Sequence, residues 1–90
     1  MKVTLYCSPD NSSFQLSFHD WKENRGRMSR IDLELLKVLG SAVACGGDVY
    51  VISKDFNPGM KIWEVKNKIN QVLKVLNVFM INPEIEELNE

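Results

Sequence analysis

Near the start of the chain, apolar and polar residues alternate on both sides of a turn-rich cluster. Val3, Leu5 and Cys7 are interleaved with Thr4 and Tyr6, and Phe14, Leu16 and Phe18 with Gln15 and Ser17. Between them stands Ser8-Pro9-Asp10-Asn11-Ser12. A period of two on each side of such a cluster predicts an antiparallel hairpin with one buried face. Residues 19–27 are polar around Trp21, with Gly26 near the end, and read as a loop or a weak third strand.

The pattern then changes to a helical period. Ser29 is placed to cap a helix, and Asp32 can reach back to it three residues later. Ile31, Leu35, Val38, Leu39 and Ala42 form a stripe that Leu36 and Val43 broaden, and Gly46-Gly47 is expected to end it. Val49-Tyr50-Val51-Ile52 is a short β-prone run. Ser53 looks like the cap of a helix of little more than one turn, because Asn57-Pro58-Gly59 blocks its continuation. A second long helix is expected from Met60 or Lys61 to Asn77, with Val65, Ile69, Val72 and Leu76 inward. Val78-Phe79-Met80-Ile81 should be a last strand, and Asn82-Pro83 opens an acidic tail suited to a terminal helical turn.

Ninety residues allow one small domain. With 44% hydrophobic and 26% charged residues, the composition excludes a disordered tail, and no apolar run is long enough to span a bilayer. The N-terminus lacks a signal peptide's apolar stretch, so a cytoplasmic location is expected. Eleven bases against twelve acids leave a charge of −1. That balance excludes indiscriminate nucleic-acid binding through bulk charge but leaves room for a local basic face. Cys7 and Cys45 are expected as two small buried thiols rather than a disulfide or a metal site.

Catalytic chemistry is hardly represented. His19 is the only histidine, which removes any two-histidine metal site, and it is expected as a surface or half-buried imidazole. Gly46-Gly47 runs into Asp48 without a Gly-Lys-Ser/Thr, and Ser12 and Ser13 have no nucleophile elbow. Asn11-Ser12-Ser13 matches a glycosylation sequon but reads as part of the turn. No enzyme, cofactor or metal is expected.

One helix face carries more information. With Val65 at the centre of the buried side, Lys66, Asn67, Asn70, Gln71 and Lys74 gather opposite, and Lys61 and Lys68 lie at the margins. Glu64 is the only acid between Lys61 and Asn82. Amides that donate and accept at once suit adenine in a DNA major groove, and lysines suit phosphates. Any exposed helix also needs polar residues, so the pattern alone leaves both readings open.

Three motifs add a resemblance. Met28-Ser29-Arg30-Ile31-Asp32-Leu33-Glu34-Leu35-Leu36 resembles the L-T-x-x-E-F-x-L-L that starts the first core helix of OmpR/PhoB-type winged-helix domains. Val51-Ile52-Ser53-Lys54-Asp55-Phe56 resembles the V-V-S-R-E-x-L opening that family's second helix. Residues 65–76 are similar to its V-x-V-H-I-S-x-L-R-K-K-L recognition helix at Val65, Ile69, Val72, Lys74 and Leu76. The resemblance runs from residue 3 to about 81. It departs at Asn57-Pro58-Gly59, which shortens the second helix, and at Leu73 and Val75, where the family has bases. The wing's G-x-G-Y and a receiver domain are also missing.

The resemblance implies an α+β, winged-helix-like domain over 1–90, with an N-terminal antiparallel sheet (1–28). A helix-turn-helix core with a short C-terminal strand (29–81) and an acidic tail (82–90) would follow. The core is expected from Val3, Leu5, Phe14, Leu16, Leu35, Leu36, Leu39, Ile69, Val72 and Leu76, with Trp21 and Trp63 packed at its margins. The implied function is bacterial transcription regulation, with the helix of about 61–77 in the major groove of double-stranded DNA. Lys66, Asn67, Asn70, Gln71, Lys74 and Lys61 would touch bases and phosphates, and Arg25, Arg27, Arg30 and Lys54 the flanking backbone. So few contacts imply a homodimer or a protein partner such as RNA polymerase or another regulator. The alternative is a protein-binding adaptor of winged-helix descent that has no DNA contact.

Overall fold

The computed structural model describes residues 1–8, 13–40, 42–56 and 59–87. The expected hairpin is present as β1 (Val3–Cys7) and β2 (Ser13–Phe18), paired antiparallel with Leu5 opposite Leu16. Its turn and the sequon's Asn11-Ser12 lie outside the described residues.

A 3₁₀ turn at Trp21–Asn24 follows and runs directly into α1 (Arg25–Leu39). The expected loop over 19–27 is therefore helical for most of its length. Trp21 explains this, because its Nε1–H donates to the Gly47 carbonyl at 2.9 Å and its ring packs edge-on against Tyr50. Ser29 lies inside α1 and caps nothing. The N-cap is Asn24, whose amide donates to the Asp20 carbonyl at 2.8 Å and makes no capping bond.

Helix α1 stops at Gly40, where φ is 76° and the amide donates back to Leu36. Gly46-Gly47 is not the terminator. Val43–Gly46 is instead β3, and Tyr50–Asp55 is β4, its antiparallel neighbour. The short helix expected from Ser53 is thus strand, with Ser53 opposite Gln15 of β2 and Val43 of β3. Two strands, not a turn and a helix, separate the long helices.

Helix α2 (Ile62–Val78) reaches one residue past Asn77, so the strand expected over 78–81 does not form. Met80 donates to Asn77 and Ile81 to Leu76, each at 2.9 Å, with Met80 at a φ of 60°. These two bonds and the buried Leu76–Ile81 pair are those of a Schellman termination. The last strand lies in the acidic tail instead, as β5 (Glu84–Glu87) parallel to β1.

The result is an α+β domain whose five-stranded sheet has the order β3-β4-β2-β1-β5. Strands from both ends of the chain share this sheet, which is not confined to residues 1–28. Val3, Leu5, Phe14, Leu16, Phe18 and Ile52 point to one face, where both helices cover them. Met28, Ile31 and Leu35 of α1 and Val65, Val72 and Leu76 of α2 meet them there. Leu36 departs from expectation at 47% exposure, and Ile69 is only half-buried. Phe18, Ile52, Phe56 and Ile81 complete the core. The other face carries Thr4, Tyr6, Gln15, Ser17, Val51 and Ser53, and neither α1 nor α2 lies over it.

Candidate nucleic-acid interface

Helix α2 is fastened to the sheet through Val65, Val72 and Leu76 and to α1 through Lys68, whose ammonium donates to the Val38 carbonyl at 2.9 Å. That carbonyl belongs to the last turn of α1, where helix geometry leaves acceptors unmatched and the dipole favours a cation. These attachments fix which side of α2 faces outward.

On that side Lys66, Asn67, Asn70 and Lys74 are exposed, while Gln71 is half-buried. Trp63, Asn67, Asn70 and Lys74 are spaced four, three and four residues apart and form one stripe within about 60° of arc. Trp63 is 64% exposed, which corrects its expected place at the core margin. The signal was in the sequence, since Trp63 falls about 160° from Val65 on the wheel, among the amides and lysines. Ile62 beside it is 62% exposed. Lys61 is the exposed N-cap of α2 and makes no side-chain capping bond.

The remaining cations do not converge on one spot. Arg25 holds its guanidinium 5.3 Å from the centre of the Trp21 ring, beside the Tyr50 end of β4. Arg27 is half-buried on α1. Arg30 is exposed on a groove of about 390 Å³ between the helices, lined also by Leu33, Glu34, Val75, Val78 and Phe79. Lys54 pairs with Phe14, whereas Tyr50 pairs with Phe18, so Lys54 stands at the opposite end of the sheet from Arg25.

Charge is strongly segregated between the layers. The two helices carry seven bases against three acids, and the rest of the described residues four bases against seven acids. Two of the helical acids are engaged: Asp32 accepts from Tyr50 at 2.9 Å, and Glu34 accepts from Lys37 at 2.9 Å. Burial, the hydrogen bond to Asp32 and its negative charge together hold the Tyr50 phenol above the usual tyrosine range.

Elsewhere the described residues hold no group of three or more His, Cys, Asp or Glu side chains able to bind a metal. His19 is half-buried, with Nε2 3.4 Å from the Thr4 hydroxyl. Cys7 is half-buried, whereas Cys45 is exposed, against the expectation of two buried thiols. No helix among the described residues is long and apolar enough to cross a membrane. No protein family, curated protein or solved structure matches the chain.

Proposed function

We propose that the domain binds double-stranded DNA through the outer side of its helical layer and acts in transcription regulation in the cytoplasm. The observation that carries this reading is the charge segregation. A chain of net charge −1 places a surplus of four positive charges on its two helices. Such a layer attracts phosphates. The amides of Asn67 and Asn70, flanked by Lys66 and Lys74, supply groups that read base edges.

The docking differs from that of a winged helix. Hairpin β3–β4 separates the helices along the chain but lies in the sheet, and α1 packs beside α2. A major groove about 12 Å wide admits one helix. The outermost side chains of α2 therefore enter the groove, while Arg27, Arg30 and Lys37 of α1 meet the adjoining backbone.

A protein-binding adaptor is the second reading, supported by the groove around Leu33, Val75 and Val78. Leu33 is 57% and Val78 80% exposed. Binding of the intact chain to a mixed-sequence duplex, titrated with salt, separates the two. DNA binding through a few phosphates gives log K falling by about 0.9 per phosphate against log salt. Affinity that is absent or flat with salt overturns the DNA reading and leaves the adaptor.

A further inference from the structure

We infer that the free edge of β3 is a self-association surface, where a second copy of this chain adds its own β3 to make one continuous sheet. Among the described residues the sheet has two edge strands, β3 and β5, and they are protected very differently. Along β5, Glu84 and Glu86 are exposed, so two such edges repel one another. Along β3 the residues are Val43, Ala44, Cys45 and Gly46, all exposed and none charged, with Val43 at 70%. The edge has no proline, and its pairing to β4 runs in unbroken register from Val43↔Ser53 to Gly46↔Tyr50, so no bulge turns it aside.

Leu36 adds a second, independent observation. It lies one turn after Asp32 on the same side of α1, and Asp32 meets Tyr50 of β4. Leu36 therefore overhangs the β4–β3 side of the sheet, where its 47% exposure is the departure from the expected core noted above. It adds apolar surface above the seam from the helical side, whereas Val43 and Cys45, paired with Ser53 and Val51, face the uncovered side of the sheet. The occupant follows from charge. Two β5 edges would set Glu84 and Glu86 against their own copies, whereas β3 carries no charge and meets its own copy without like charges in the seam.

Antiparallel β3–β3 pairing uses a two-fold axis normal to the sheet, which keeps both helical layers on one side. Directly opposed residues share a face, so Cys45 meets either Cys45 or Val43 of the second copy. The dimer then presents two copies of α2 in the same direction. That consequence rests on the DNA reading, but the pairing itself does not.

The test is the solution mass of the full chain under reducing conditions, without DNA. A four-residue seam with Leu36 is smaller than the roughly 1,200 Å² of stable interfaces. The mass should therefore approach twice 10.3 kDa at roughly 100 µM and fall to the monomer value on dilution. Val43→Lys and Cys45→Lys should each give a folded monomer at the same concentration. A native chain that stays monomeric, or lysine variants that still dimerise, overturns the inference. Should those variants fail to fold, a short bismaleimide applied to the Cys7→Ser chain decides. Cross-linking through Cys45 that saturates with concentration supports the seam, and its absence overturns it. Because DNA is left out, failure here leaves the helix-face reading intact, and failure of DNA binding leaves the seam intact.

Discussion

The Tyr50 hydroxyl donates to the Asp32 carboxylate across 2.9 Å and so ties the edge-side half of the sheet to the first helix. The same phenol ring packs against Trp21, whose indole holds the Gly47 carbonyl of the β3–β4 turn. Tyr50→Phe should therefore cost about 1 kcal/mol, the usual net worth of one such bond, measured by urea unfolding. Loss of the tie should also loosen the β3–β4 hairpin, seen as faster amide exchange there.

The same pair predicts an alkaline limb in stability. Burial first, then the bond to Asp32 and its charge, raises the Tyr50 pKa above that of the unfolded chain. A group whose folded pKa is raised contributes fully below its unfolded value, near pH 10, and the contribution is lost as pH rises through the folded value. Asp32→Asn should move the Tyr50 ionisation, followed by absorbance, back toward the ordinary value without abolishing the shift, because burial remains. An unchanged titration curve would show that Asp32 does not act on Tyr50.

Met80 occupies the left-handed position of the α2 termination with a φ of 60° and is 93% exposed. A side chain there costs roughly 1 kcal/mol and buries nothing, whereas glycine adopts the conformation without penalty. Met80→Gly should thus stabilise the fold by at most about 0.6 kcal/mol, once the roughly 0.4–1 kcal/mol that glycine's extra freedom gives the unfolded chain is subtracted. A destabilised variant would mean that Met80 makes contacts at the α1–α2 groove.

Burial ranks the cost of truncations along both helices. Leu76 is fully buried, and Leu76→Ala should cost roughly 2–5 kcal/mol. Ile69→Ala, at a half-buried position, should cost clearly less, and Leu36→Ala should lie within about 0.5 kcal/mol in the monomer. Denaturant midpoints at low protein concentration test the order. Ile69→Ala costing as much as Leu76→Ala would require α2 to be rotated on the sheet.

Asn70→Ala and Lys74→Ala change exposed side chains one turn apart and should leave stability nearly unchanged. In DNA binding they should differ in kind. Loss of the amide should relax preference at one base position by roughly 1–3 kcal/mol. Loss of the lysine should weaken binding to every sequence and reduce the salt slope by about one. Equal, sequence-independent losses would favour a protein partner for this face.

Trp63 supplies an intrinsic reporter, since it stands in the stripe with Asn67, Asn70 and Lys74 and is 64% exposed. Duplex DNA should change its emission, and the change should persist in Trp21→Phe and vanish in Trp63→Phe. Emission that tracks Trp21 alone would move the contact to the Arg25 end of the molecule.

The hairpin and the body of both long helices were legible in the sequence because their patterns are local. Period two brackets a turn cluster in one case, and the spacing of Val65, Val72 and Leu76 marks a buried stripe in the other. The outward face of α2 followed from the same stripe, so Lys66, Asn67, Asn70 and Lys74 were placed by the sequence, and Trp63 could have been. What the tertiary structure decided were segments whose local preference is weak or misleading. Residues 43–46 are small and continue a helical stripe, and Ser53 has the look of a cap. Pairing with β2 nevertheless made β4 a strand, and β4 in turn made β3 one, because the ladder of backbone hydrogen bonds outweighs the tenths of a kcal/mol at stake in propensity. The acidic tail likewise found its strand only because β1 left an edge open to it. The segregation of charge between the layers had the same origin. It is invisible in a net charge of −1 and arose when β5, with Glu84, Glu86 and Glu87, joined the sheet beneath two basic helices.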